Sequence, residues 1–391
     1  MKQQPVYLDY QATTPLDPRV RESMMPFLCE NFGNPHSTDH VFGWEAAAAV
    51  RDARAKVAEF INADDDEVLF TSGATEACHL ALGGVARCAG DGCNRKRIVT
   101  VTTEHPAVLE TVLGLGRQGF ESVVLPVKSD GLVDLAALDR VLDERTLIVS
   151  VMTANNEIGV LQPIREIADR CRHVGALLHT DAAQAGGRLP MDVERLGVDL
   201  LSLSAHKMYG PKGVGALFVR AGVPILPIWG GGGQQRGLRS GTLAPALVAG
   251  FGTACELAVD QQESDRERIS QLTVRLLQRL RNAFPSLLLF GHPERRVPGS
   301  VNIGFPGIPA ELMIRNVAES LAVSSGAACA SASSEPSRVL LALGLDRETA
   351  ATGIRISLGR FTTEADIDAA IGVFECVGTA LHSEPAQHAA G

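Results

Sequence analysis

The sequence predicts an α/β protein built on a mostly parallel sheet with helices on both faces, followed by a smaller α+β region. Three observations predict it. Between residues 97 and 219 short apolar runs alternate with helix-like segments, the order produced when crossover helices join parallel strands. Polar residues follow four of those runs: Glu104-His105-Pro106, Asn155-Asn156-Glu157-Ile158-Gly159, Thr180-Asp181-Ala182-Ala183-Gln184 and Ser204-Ala205-His206-Lys207. Open α/β sheets gather their ligands at those strand ends. Finally, 391 residues exceed what a single core organises, so a second unit is expected. The expected division is 15–260 for the large unit, and 1–14 with 261–391 for the small one.

In order along the chain, Val6-Tyr7-Leu8 is strand-like, and polar turns lead from residue 15 to an alanine-rich helix over 44–60. Between them, Asn31-Phe32-Gly33-Asn34-Pro35-His36-Ser37 has loop composition. Val68-Leu69-Phe70 is a strand that turns through Thr71-Ser72-Gly73-Ala74-Thr75 into a helix reaching Arg87. Strands are then expected at 97–102, 122–127, 147–152, 176–179, 199–203 and 215–219, and helices at 107–117, 135–142 and 164–174. Four glycines, Gly230 to Gly233, open a flexible segment. A helix over 245–284 is long enough to join two units. The rest reads as strand 300–305, helices 311–320 and 339–343, strand 353–357 and helix 364–381, with a frayed Ala- and Gln-rich tail from Glu384.

Composition narrows the function. Apolar residues make up 45% and charged residues 21% of the chain, and 36 Lys and Arg against 45 Asp and Glu give a net charge of −9. No broad basic surface is available for nucleic acid or anionic lipid, and no stretch has the length of a membrane span. Small-molecule or protein partners and a cytoplasmic location are therefore expected. The eight cysteines form no CxxC pair, which argues against a disulfide framework or a zinc site. Cys78, Cys171, Cys255 and Cys376 lie in helix-like stretches and read as buried small hydrophobes. Cys329 differs: it sits in a Ser, Ala and Gly run without strand or helix period, ahead of the helix start Glu335-Pro336-Ser337. Mobility of that kind suits a thiolate that collects a group in a pocket and delivers it elsewhere.

The strongest chemical signal is Lys207. A lysine at a strand's carboxyl end can become a nucleophile toward carbonyls, and an aldehyde cofactor such as pyridoxal phosphate captures it as a Schiff base. The helix start at Ala74 and Thr75 offers free N–H groups and a helix dipole for a phosphate; the alternative is a plain Thr-capped helix.

Together these motifs resemble the cysteine desulfurases, pyridoxal-phosphate enzymes of the aminotransferase class V family on the type I fold. The resemblance runs from Tyr7-Leu8-Asp9-Tyr10-Gln11-Ala12-Thr13-Thr14-Pro15 to Gly359-Arg360-Phe361-Thr362-Thr363. It includes the lysine motif Ser204 to Gly213, the segment Arg236-Gly237-Leu238-Arg239-Ser240-Gly241-Thr242, and Ser324 to Ala332, which is similar to the long cysteine loop of the housekeeping iron-sulfur group. It implies that Lys207 holds the cofactor and moves protons, that Asp181 pairs with the pyridine nitrogen, that His105 stacks on the ring, and that Gln184 bonds the ring hydroxyl. It further implies that Ala74, Thr75, Ser204 and His206 hold the phosphate, with Thr242 reaching in from a second subunit of a homodimer. Asn156 and Arg355 would bind the substrate carboxylate, and Cys329 would receive sulfur from L-cysteine as a persulfide, leaving L-alanine. No metal is implied.

Each residue also has a plainer reading: Asp181 as a helix cap, Arg355 as a strand-surface charge, His105 as a satisfied polar core group. Gln234-Gln235 stands where the family has a His-Glu pair, Ala183 and Gly186 replace bulkier or hydroxylic residues, and Ala328-Cys329-Ala330 stands for Ala-Cys-Thr. These departures leave the sulfur acceptor open between an iron-sulfur scaffold and a thiolation enzyme. Two alternatives accompany the desulfurase reading: a related activity on selenocysteine, cysteine sulfinate or an amino group, and a non-catalytic scaffold that binds sulfur-acceptor proteins.

Overall fold

The computed structural model describes residues 4–90, 93–325 and 335–383. The elements begin with β1 (Val6–Tyr7), α1 (Pro18–Cys29), α2 (Val41–Ile61), β2 (Val68–Thr71), α3 (Ala74–Ala89), β3 (Arg97–Val101), α4 (Pro106–Gly116) and β4 (Glu121–Leu125). They continue with α5 (Leu135–Val141), β5 (Thr146–Ser150), α6 (Ile164–Val174), β6 (Leu177–Asp181), α7 (Val193–Leu196), β7 (Leu200–Ser204) and β8 (Gly215–Val219). After the long helix α8 (Pro245–Ala283) come β9 (Leu288–Phe290), β10 (Ser300–Gly304), α9 (Ala310–Val317), β11 (Leu321–Ala322), α10 (Arg338–Ala342), α11 (Arg347–Ala350), β12 (Gly353–Ser357) and α12 (Glu364–Ser383).

The seven strands of the large sheet lie in the order β2-β8-β7-β6-β5-β3-β4. All pairs are parallel except those of β8 with β2 and β7. Successive strand residues feed opposite faces. Leu69, Ile98, Ile148, Leu200 and Leu217 pack with α3 and α4, whereas Phe70, Val99, Val149, Leu201 and Phe218 pack with α2, α6 and the first half of α8. Burial on both faces explains why these strands are continuous apolar runs in the sequence. The expected mostly parallel sheet with two helical layers is therefore present.

A second core surrounds the antiparallel sheet β12-β10-β9 and the parallel pair β1 and β11. It is closed by α9, α12 and the second half of α8. Helix α8 serves both cores: Val248, Phe251, Cys255 and Ala258 lie in the first, and Ile269, Leu272, Leu276 and Leu280 in the second.

Two expectations are corrected. The region after residue 15 holds the helix α1, capped by Asp17 with Pro18 at its first position. Only Val20 and Met24 are buried along it, and Pro26 interrupts its pattern, so the apolar period was too short to register. Cys78, Cys171 and Cys255 are buried as expected, but Cys376 is exposed on α12.

Candidate active site

Five strand ends meet around a cavity of about 570 Å³. β7 is fully buried and runs into a single 3-10 turn, Ala205–Lys207. The turn is tight: a Cβ on Gly210 would lie 2.9 Å from the Ala205 carbonyl oxygen. Lys207 thereby reaches the cavity, where its Nζ donates to the carbonyl of Ala12 at 2.9 Å and to that of Gln11. Those carbonyls belong to the segment after β1, which crosses from the second core.

Asp181 is the last residue of β6, two positions beyond the strand end expected from the sequence. It is 7% exposed and its Oδ1 accepts from the Ala183 N–H at 2.9 Å. Burial raises its pKa, opposed by the Ala183 hydrogen bond, by the nearby His105 and Lys207, and by Cys78. His105 caps α4, with Nδ1 accepting from the Ala107 N–H at 3.1 Å. With Nδ1 an acceptor, the neutral ring carries its proton on Nε2. Burial lowers the His105 pKa, Asp181 counters this, and Lys207 reinforces it. No helix starts at Asp181, so the reading of it as a helix cap is set aside, whereas His105, considered as a polar core group, is the cap of α4; both line the cavity.

The opposite wall is the start of α3. Its N-cap is Gly73, at φ 152°, and among the described residues no side chain caps the helix, so no capping hydroxyl there takes the first-turn N–H groups of Ala74 and Thr75. The alternative of a Thr-capped helix is thereby set aside. Gly215 allows this wall to approach the sheet: a Cβ there would lie 2.4 Å from Leu203 O and 2.8 Å from Gly73 Cα. Glu76, an acid in the first turn, would repel an anion, but Arg239 binds it at 2.8 and 3.2 Å and the Ser72 N–H at 2.7 Å. Burial pushes the Glu76 pKa up and these partners outweigh it, so the carboxyl is held below its ordinary value. Ser204 and His206 complete this side. His206 shares a hydrogen bond of 3.0 Å with Thr13 Oγ1; burial, then Lys207 and Lys212, push its pKa down to about 4.

Gln184 donates Nε2 to Gln11 O at 3.0 Å, while its buried Oε1 has no partner among the described residues. Asn156 lines the cavity. Arg355, on β12, stands behind it: Nη1 donates to the Asn156 carbonyl at 2.9 Å and Nη2 to Asp9 at 2.7 Å. It is 3% exposed, which excludes a strand-surface charge. Thr242 is exposed and does not line this chain's cavity. Cys329 lies outside the described residues.

Sequence reasoning passed over Gln11, Ala12, Thr13, Lys212 and Asp9. Most belong to the quoted N-terminal motif, but the first two act through backbone carbonyls, which leave no residue-type signal. Gln235 was noted only as a departure. Its side-chain amide bonds both the N–H and the carbonyl of Phe70 at 2.7 Å, covering the edge of β2 that no strand among the described residues pairs.

This donor set fits a phosphorylated pyridine aldehyde. A lysine sits beside a buried carboxyl that a pyridinium would keep ionised, a buried amide oxygen lacks a partner among the described residues, and a helix start without a side-chain cap among them, with Lys212 nearby, suits an anion. Among the described residues no cluster of His, Cys, Asp and Glu could hold a metal ion. Fold and site together define a pyridoxal-phosphate enzyme of the type I fold. The aminotransferase class-V family model matches residues 6–370, and the chain belongs to that family. It is 51% identical over 366 residues to "Cysteine desulfurase, mitochondrial" of Arthroderma benhamiae, covering 93% of this chain and 72% of the relative. It is 47% identical over 369 residues to "Cysteine desulfurase IscS" of Rickettsia felis, covering 94% and 89%. A solved structure of a NifS-like protein superposes with a TM-score of 0.90 at 36% identity, over 97% of this chain and 100% of that one.

Proposed function

We infer that the protein is a pyridoxal-phosphate-dependent cysteine desulfurase that converts L-cysteine to L-alanine and passes the sulfur to Cys329. The observation that carries this is the meeting of Lys207, Asp181, His105 and Gln184 with an uncapped helix start in one cavity, in a chain whose relatives bear that name. The cofactor, when bound, supplies an electron sink for the substrate. The chain's own residues do the rest. Lys207 would hold the cofactor and move the proton at the substrate α-carbon, with Gln11 O and Ala12 O holding its ammonium when it is released. Asp181 would keep the ring nitrogen protonated. His105, neutral at pH 7, would accept or return a proton beside the ring, and Gln184 would bond the ring hydroxyl. Ala74, Thr75, Ser204 and His206 would hold the phosphate, with Thr242 added from a second subunit. Asn156 and Arg355 fix the substrate carboxylate.

In the sulfur transfer, the Cys329 thiolate attacks the substrate sulfur. The new S–S bond makes a persulfide, the C–S bond breaks, and its electron pair stays with the carbon skeleton, which is protonated and leaves as alanine. An iron-sulfur scaffold or a thiolation enzyme then takes the sulfur.

A homodimer is supported by exposed Met25, Leu28, Phe32, Val41, Phe42 and Trp44 on α1, α2 and their connection, where Phe32 and Phe42 stack at 5.4 Å. Exposed apolar residues so concentrated mark an interface. The proposed compartment is the cytoplasm, whose reducing poise suits the free cysteines of the described residues. We also propose a large unit of 15–260 and a small one of 1–14 with 261–391, supported by the change of core along α8 between Ala258 and Ile269.

The test is turnover with L-cysteine and a thiol reductant. Alanine and sulfide should appear in equal amounts, and Lys207→Ala should lose both, together with the yellow colour of the bound cofactor. Consumption of an amino acceptor without sulfide would make the protein an aminotransferase instead.

A further inference from the structure

The guanidinium assigned to the substrate carboxylate already holds a carboxylate. Arg355 Nη2 lies 2.7 Å from Asp9 Oδ1, the two side chains being 4% and 16% exposed. Nη1 is taken by the Asn156 carbonyl, and the buried Nε has no partner among the described residues. The same Asp9 oxygen also accepts from Ser324 Oγ at 3.2 Å. A buried guanidinium stripped of its counter-charge is strongly destabilising, so a site built on Arg355 requires a stand-in whenever no substrate is bound. A planar guanidinium presents Nε and Nη2 on one edge, a spacing that matches the two oxygens of a carboxylate.

We propose that Asp9 is an internal competitor for the substrate carboxylate: it pairs with Arg355 when no substrate is bound, yields the guanidinium to the amino-acid substrate, and so sets the affinity for L-cysteine. Ser324 Oγ keeps its hydrogen bond to Asp9 when the guanidinium turns to the substrate. The pair is assembled from opposite ends of the chain, Asp9 beside β1 and Arg355 on β12, where Asp9 bridges to Ser357. This rests on the reading of Arg355 as the carboxylate site.

The experiment measures, on the cofactor-loaded protein, the L-cysteine concentration that half-saturates the first spectral change on rapid mixing, alongside KM. Cysteamine, which has an amine and a thiol but no carboxylate, serves as the control ligand. Asp9→Asn keeps an oxygen for Nη2 and removes only the charge; it should tighten L-cysteine binding about tenfold, equivalent to about 1.4 kcal/mol, and leave cysteamine binding unchanged. Ser324→Ala removes a competing donor from Asp9, strengthens its hold on Arg355, and should raise the half-saturating L-cysteine concentration. It provides the opposite sign in a partly exposed position should Asp9→Asn fold poorly. Unchanged or weaker L-cysteine binding in folded Asp9→Asn, or unchanged binding in Ser324→Ala, overturns the competitor role while Arg355→Ala still weakens binding. If Arg355→Ala binds L-cysteine normally, the carboxylate reading itself fails.

Discussion

His179 lies on β6 beneath the site, fully buried between Ser150 Oγ at 2.8 Å and Ser202 Oγ at 2.9 Å. Burial pushes its pKa from 6.5 down to about 3. Between those values the unfolded chain holds a proton that the folded chain lacks, so this residue's effect is a loss of stability as pH falls below 6.5. Replacing the ring with glutamine should flatten the acid limb of the unfolding free energy by up to about 1.4 kcal/mol per pH unit, read by denaturant unfolding at pH 7, 6 and 5. An equally steep limb in His179→Gln would place the titrating groups elsewhere. His105 is depressed for the same leading reason, so it is the neutral ring that works at pH 7. Activity should persist below the ordinary histidine range before protonation removes it, checked by the pH profile of kcat/KM. Neither histidine's environment was legible locally. His179 was read only as the end of a strand, and its serine partners come from the two neighbouring strands.

Among the elements, the contact of α3 with β8 leaves no room for a side chain at Gly215. Gly215 has the Leu203 carbonyl and the Gly73 backbone within 3 Å of where a Cβ would stand. Gly215→Ala must move the start of α3 away from the sheet, a strain of about 1–3 kcal/mol. It should lower the thermal midpoint and weaken cofactor binding together, whereas a change in midpoint with unaltered cofactor titration would show that the α3 start does not hold the phosphate. The strands of the large sheet were readable because burial on both faces writes them as uninterrupted apolar runs. Helix α1 was not, because it rests on α8 through little more than Val20 and Met24. Cys376 was placed inside because its helix is rich in apolar residues, yet α12 turns that position outward.

For the whole molecule, the polar groups that follow successive strands in the sequence converge because parallel strands end on one side of the sheet. The Asp9–Arg355 pair had no such signal, since 346 residues separate the two and only the closing of the second core brings them together. The proposed dimer is tested by Phe42→Asp with Trp44→Asp, which should shift sedimentation from dimer to monomer and reduce cofactor retention through loss of the second subunit's Thr242; an unaltered dimer would put the interface elsewhere. In the proposed reaction, sulfur leaves cysteine for one particular thiol. Purified protein loaded with cofactor should be mixed briefly with L-cysteine in the absence of reductant, and its peptides weighed without reduction. One added sulfur atom per chain is expected, located on Cys329 and accompanied by one alanine, with the other seven cysteines unlabelled and Cys329→Ser unable to accept it. Sulfur found first on Cys376 or Cys255, or undiminished sulfide release from Cys329→Ser, would contradict this reaction.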